Sequence, residues 1–168
     1  GVVHRDLKPG NIMVEAGSGR VTVMDFGLAK IATHDRSLTA SGMVMGTPAY
    51  MRPEQAQGLA VDPRSDVYSL GATLYELLGG APTVDGGDVY TLLKKVIEEE
   101  PLPLRRRNPR VDAELDAVVV KCLEKYVARR YANAGELADE LDRWLAGSPV
   151  MARTAGLFRR LGRRFRSA

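Results

Sequence analysis

Apolar positions change their spacing along this chain. Two short apolar runs, Ile12-Met13-Val14 and Val21-Thr22-Val23-Met24, flank the turn-forming Ala16-Gly17-Ser18-Gly19, which predicts a small β-hairpin. Over residues 31–60 periodicity fades and small polar residues, Met, Gly and Pro take over. A loop of that length in a compact domain is expected to be functional or disordered. Beyond it the period turns helical. Asp62-Pro63 and Ser65 cap a helix with Val67, Leu70, Leu74, Leu77 and Leu78 turned inward, and Gly79-Gly80 ends it. Because this helix is apolar nearly all round, it is expected at the buried centre. A shorter helix follows over about 88–99, stopped by Pro101 and Pro103, and residues 101–109, with Arg105-Arg106-Arg107, read as a basic linker. Asp112 caps the next helix, with Leu115, Val118, Val119, Cys122 and Tyr126 on one face. Asn133 and Glu136, at capping-box spacing, open the last, which carries Leu137, Leu141, Trp144 and Leu145 and closes at Gly147-Ser148-Pro149. One hairpin, one long loop and four helices are expected: a mainly α fold with a small β-hairpin.

Composition narrows the class. At 168 residues, 45% hydrophobic and 27% charged, the chain suffices for one domain with a sizeable core. A disordered chain, a collagen-like repeat and a disulfide-stapled mini-protein are excluded. The single cysteine, Cys122, allows no internal disulfide and no all-cysteine metal site. The lone thiol fits a reducing setting, and a cytoplasmic location is expected; no run reaches about eighteen apolar residues and no signal peptide is visible. The opening Gly1-Val2-Val3-His4 lacks methionine and reads as a cut rather than a natural start.

Charge is split. The net charge is +3, yet from Arg143 onward there are seven arginines and no acidic residue, so the first 142 residues carry 3 − 7 = −4. A nucleic-acid-binding domain would need its positive charge on the folded part, which is acidic, so nucleic acid is not an expected partner. The division expected is a domain over 1–146 and a basic tail over 147–168.

Chemistry concentrates near the N-terminus. His4-Arg5-Asp6-Leu7-Lys8-Pro9-Gly10-Asn11 stands just before the first strand, and Asp25-Phe26-Gly27 just after the second. The hairpin therefore brings two carboxylates and an amide to its mouth. Phosphoryl transfer uses such a set: a carboxylate to orient and deprotonate a hydroxyl, oxygen ligands for Mg²⁺, and a cation near the transferred group. Taken singly, each is an ordinary turn residue; the ordered set is far more specific.

These motifs resemble the eukaryotic-like, bacterial-type serine/threonine protein kinases. The resemblance runs from residue 1 to about 146 and implies the C-terminal lobe of the kinase fold without its first lobe. It implies ATP and Mg²⁺ as cofactors and protein Ser/Thr hydroxyls as acceptors. By the same resemblance Asp6 is the catalytic base, Lys8 steadies the γ-phosphate, and Asn11 and Asp25 are the Mg²⁺ ligands. Thr47, within Gly46-Thr47-Pro48-Ala49-Tyr50, contacts the base and helps select Ser/Thr substrates. His4 stacks on Phe26, Asp66 anchors the catalytic-loop backbone from the central helix, and Glu54 pairs with Arg130; these roles are structural. Arg5 preceding Asp6 is the arrangement of kinases whose loop is ordered by phosphorylation, which makes Thr39 and Ser41 the candidate phosphosites.

The sequence also departs from the family pattern. The Gly-rich loop, the strand lysine and its glutamate partner are absent from these residues, so little or no activity is expected of the chain alone. Arg52 replaces a small residue before Pro53-Glu54, Tyr126-Val127 stand where Asp-Pro is usual, and Thr83-Val84 replace Pro-Phe. A non-catalytic kinase-like binding module is the alternative; it predicts damage at Asp6, Asn11 or Asp25, and none is seen. In the tail, Leu157, Phe158, Leu161 and Phe165 fall on one helical face among arginines, the composition of a segment resting on an anionic membrane. The stretch resembles the juxtamembrane region of bacterial receptor kinases, which points to the cytoplasmic side of a membrane.

Overall fold

The computed structural model describes residues 3–26 and 50–152. Thr39, Ser41, Thr47 and tail residues 153–168 lie outside the described residues. The fold is mostly helical with one small antiparallel hairpin. A 3-10 turn, Pro9–Asn11, leads into β1 (Ile12–Val14), which pairs with β2 (Val21–Val23) in the register Ile12↔Val23, Met13↔Thr22, Val14↔Val21. Six α-helices then lie wholly within the described residues, α1 (Pro53–Ala56), α2 (Pro63–Gly79), α3 (Val89–Glu98), α4 (Leu104–Arg107), α5 (Ala113–Cys122) and α6 (Ala134–Leu145), with a 3-10 turn, Val127–Arg129, between the last two.

Local chemistry starts and stops these helices. Asp62 accepts the Arg64 amide (2.8 Å) while Ser65 Oγ accepts the Asp62 amide (3.2 Å), with Pro63 in the first turn. At the far end Gly80 takes a φ of 73°, which closes α2 without the strain a side chain would meet. Asp112 Oδ1 accepts the Glu114 and Leu115 amides, and its Oδ2 accepts the Trp144 indole N–H (2.7 Å), so one cap also ties α5 to α6.

Helix α2 is the central element, as its composition suggests. Tyr68, Ala72 and Tyr75 pack with Leu104, Val111, Leu115, Val119 and Leu123 in one cluster. On the other side Val67 packs with Val118, Cys122, Tyr131 and Leu137 in a second. The α2–α5 crossing is close enough that a Cβ on Gly71 would lie 2.4 Å from Cys122 Cβ.

Several expectations need correction. The segment 31–60 is not loop throughout, since α1 lies inside it, begun by Pro53. The basic linker contains α4, whose Leu104 is fully buried; Arg105 and Arg106 face outward, while Arg107 is half-buried with its guanidinium over the Tyr75 ring. Tyr126 is exposed rather than inward: α5 ends at Cys122, and the chain unwinds so that Arg130 can collect the Glu124 and Lys125 carbonyls. Leu77 and Leu145 are exposed as well, because aromatic residues and alanine occupy the buried stripe of α2 and Leu137 and Glu140 that of α6. Val150 and Ala152, on the tail side of a boundary at 146, are buried in the second cluster. Their segment is held by carboxylates, since Glu114 accepts the Val150 amide and Glu140 accepts those of Met151 and Ala152. Among the described residues no helix is long and apolar enough to cross a membrane.

Candidate active site

The site forms where the residues before β1 meet those after β2. The Met24 amide donates to the Asn11 carbonyl (2.9 Å), extending the hairpin by one bond and bringing the residue before Asp25 to the end of the 4–11 loop. His4 Nε2 donates to the Met24 carbonyl (2.8 Å), and its Nδ1 accepts the Asp6 amide at 3.3 Å. Because a carbonyl can only accept, this pair of contacts selects the Nε2–H tautomer. The buried His4 ring lies 4.7 Å from the Phe26 ring, tilted by 50°. His4 thus joins both arms of the site through its edges and face.

Asp6 is the focus of the polar contacts. Its Oδ2 accepts from Lys8 Nζ (3.1 Å) and Asn11 Nδ2 (3.2 Å), and its carbonyl accepts a second bond from Asn11 Nδ2 (2.8 Å). The Asp6 side chain keeps 43% of its surface in solvent, so the carboxylate remains open to an incoming group. Both amide hydrogens of Asn11 being directed at Asp6, its Oδ1 faces away from those contacts. That oxygen and the exposed Asp25 carboxylate are hard donors of the kind Mg²⁺ accepts, an ion that takes few protein ligands and keeps several waters. The donor set therefore fits a magnesium ion shared with phosphate oxygens. Among the described residues no group of three or more His, Cys, Asp or Glu side chains could hold a metal alone.

The loop is moored to α2. Asp66 Oδ2 accepts the His4 amide (2.6 Å) and Oδ1 the Arg5 amide (3.0 Å). Arg5 and Asp25 are the only non-glycine residues with positive φ among those described, at 70° and 56°. Both flank the polar focus, where side-chain direction depends on the backbone turn.

Behind the loop, Arg130 donates from Nη1 and Nη2 to the two oxygens of Glu54, and Ser65 Oγ donates to Glu54 Oε1 (2.6 Å). Burial alone would raise the Glu54 carboxyl; the hydrogen bonds from Arg130 and Ser65 and the Arg130 charge outweigh it and hold the group below the ordinary carboxylate range. Tyr50 donates its hydroxyl to Glu76, and burial followed by that carboxylate pushes the phenol up to about 12.

One residue of this region has a place that its sequence did not reveal. Arg52, noted only as a departure, is buried with its Nε on Ser69 Oγ (3.1 Å) and its Nη2 on the Arg5 carbonyl. A charged residue in a segment rich in small residues reads as surface, so periodicity offers no signal for it.

The family model described as protein kinase domain matches residues 1–141. Serine/threonine-protein kinase PknB of Mycobacterium leprae is 44% identical over 152 residues, covering 90% of this chain and 24% of the relative. A probable serine/threonine-protein kinase of Streptomyces coelicolor is 40% identical over 156 residues, covering 92% and 23%. The kinase domain of Mycobacterium tuberculosis PknI, solved as a double mutant, superposes with a TM-score of 0.58 at 29% identity, covering 83% of this chain and 44% of that one. The chain thus spans about a quarter of the length of these curated relatives.

Proposed function

Because this chain belongs to the protein kinase domain family, we propose that it supplies the acceptor and metal side of a serine/threonine kinase site. The reaction is transfer of the γ-phosphate of ATP to Ser or Thr hydroxyls of proteins. The observation that carries this reading is the open Asp6 carboxylate, with one oxygen engaged by Lys8 and Asn11. The other oxygen is left to orient an acceptor hydroxyl and take its proton. Lys8, already beside that carboxylate, is placed to follow the charge of the transferred phosphoryl group. Asn11 Oδ1 and Asp25 would hold Mg²⁺, which when bound offsets phosphate charge. Asp66 and His4 keep the loop and the residues after β2 in one frame.

The test is phosphoryl transfer to a Ser/Thr-containing protein by these residues joined to a kinase first lobe. Asp6→Asn is expected to lower kcat by about a hundredfold or more, with KM for ATP little changed. Asp25→Ala should weaken Mg²⁺-dependent nucleotide binding. A kinase-like binding module predicts no turnover to lose. The 168-residue chain alone is expected to show little or no turnover. Turnover of the chain alone at the rate of intact kinases would show that the missing phosphate-positioning groups are dispensable.

The tail supports an anionic membrane surface as a second partner. Residues 152–168 carry six arginines and no acidic residue. Each basic residue near an anionic surface contributes about 1 kcal/mol, an effect that fades with salt. A peptide of this segment should co-sediment with phosphatidylglycerol vesicles at low salt and release at high salt. A peptide left in the supernatant at low salt makes the tail a solvated linker.

A further inference from the structure

The backbone at Arg5 adopts a conformation that L side chains disfavour, φ 70°, immediately before Asp6. Such a turn persists only where the surroundings hold it. Its N–H is held by Asp66 (3.0 Å). The next peptide plane, which joins Arg5 to Asp6, is held at both ends. Its N–H, on Asp6, donates to His4 Nδ1, and its carbonyl oxygen, on Arg5, accepts from Arg52 Nη2. That plane sets the direction in which the Asp6 side chain leaves the backbone.

Arg52 is equipped to hold it firmly. It is 3% exposed and is the residue before α1, two positions ahead of Glu54, which Arg130 locks in place. Its Nε donates to Ser69 Oγ (3.1 Å) on the fully buried face of α2, so the planar guanidinium spans two partners at once. Desolvation pulls this guanidinium below its ordinary value, and the carboxylates of Asp66, Glu54 and Asp6 oppose that pull. A small residue at position 52 would leave the Arg5 carbonyl without this donor.

We propose that Arg52 is a positioning residue for Asp6, its guanidinium bridging α2 to the Arg5–Asp6 peptide and maintaining the left-handed turn that aims the carboxylate. The importance of that aim for phosphoryl transfer rests on the reading of Asp6 as base; the bridge itself does not. It makes the segment leading into α1 and the catalytic loop one mechanical unit, coupled through a side chain rather than through backbone pairing.

The test uses the 168-residue chain with Arg52→Met, Arg52→Lys and Ser69→Ala. Met keeps the stem without donors, Lys keeps the charge without the fork, and Ser69→Ala removes only the far anchor. NMR Cα and Cβ shifts of Arg5 report its left-handed backbone, and amide exchange of His4 and Arg5 reports the mooring. Met and Lys are both expected to move the Arg5 shifts away from the left-handed pattern. Exchange of the two amides should quicken about tenfold, while amides of α2 and α5 keep their protection. Ser69→Ala should change both readouts less and in the same direction. Unchanged Arg5 shifts in Arg52→Met, a Lys variant identical to wild type, or protection lost evenly through α2 and α5 would each overturn the proposal. Should Arg52→Met fail to fold, Arg52→Lys and Ser69→Ala decide by the same criteria. No turnover is measured, so the outcome is separate from that of Asp6→Asn.

Discussion

Glu54 and Arg130, 76 residues apart, meet in two parallel hydrogen bonds of 2.8 and 2.7 Å with side chains 4% and 0% exposed. The fork-to-fork geometry uses both carboxylate oxygens. The remaining guanidinium hydrogens go to the Glu124, Arg64 and Lys125 carbonyls, and the Tyr68 ring lies 4.7 Å from the guanidinium carbon. The pair joins the start of α1 to the turn before α6 across the N-terminal end of α2. Its desolvation is offset by near-complete satisfaction, so removing one partner is more costly than the net stability of the pair suggests.

Arg130→Ala should therefore destabilise the fold by about 3–5 kcal/mol, since it strands the Glu54 carboxylate. An exposed pair of the same residues would give at most about 1 kcal/mol. Urea denaturation of wild type and variant separates the two, and a loss in the lower range would mean that water replaces the guanidinium.

Acid should weaken the same pair. The folded carboxyl of Glu54 lies below its unfolded value, so its contribution is fully present above the unfolded value of about 4.3 and is lost as pH falls through the folded one. Glu54→Gln removes that titration. The stability gap between wild type and Glu54→Gln should then narrow as pH is lowered through this window. A gap independent of pH would place the titration elsewhere.

Cys122 should be inert in the native state. Burial among Val67, Val118 and Tyr131 pushes its thiol up to about 12, and the thiolate is the reactive form. Labelling by a thiol-disulfide reagent at pH 8 should follow global unfolding, with no fast phase in native buffer.

Gly71 separates two physical effects by sign. Helix propensity alone would make Gly71→Ala stabilising by about 1 kcal/mol. The new Cβ, however, would sit 2.4 Å from Cys122 Cβ at the α2–α5 crossing. Overpacking at about 1–3 kcal/mol outweighs propensity, so a lower thermal midpoint is expected. A raised midpoint would show that the two helices can part without loss.

Much of this architecture was legible from local chemistry. Asp62-Pro63, Asp112 and Asn133 marked helix starts, because capping depends on residues a few positions apart. The glycine-rich turn and two apolar runs marked the hairpin for the same reason. The short helices α1 and α4 were not legible. Four residues carry too little periodicity, and Leu104 is buried only because Tyr75, Leu115 and Val119 surround it from distant parts of the chain.

In the site, the order of the motifs was enough to name Asp6, Lys8, Asn11 and Asp25 together and to suggest that the hairpin gathers them. Chain spacing carries that information, since strands of fixed length and a tight turn leave little freedom in where their ends meet. The direction of Asp6 belongs to the tertiary structure. It depends on Asp66 and Arg52, which lie 61 and 47 positions from Arg5 and reach opposite ends of its backbone unit. Nothing in a buried arginine's sequence neighbourhood marks it as buried. Its charge is accommodated only once Ser69, Asp66 and the Arg5 carbonyl converge on it, and folding alone brings them together.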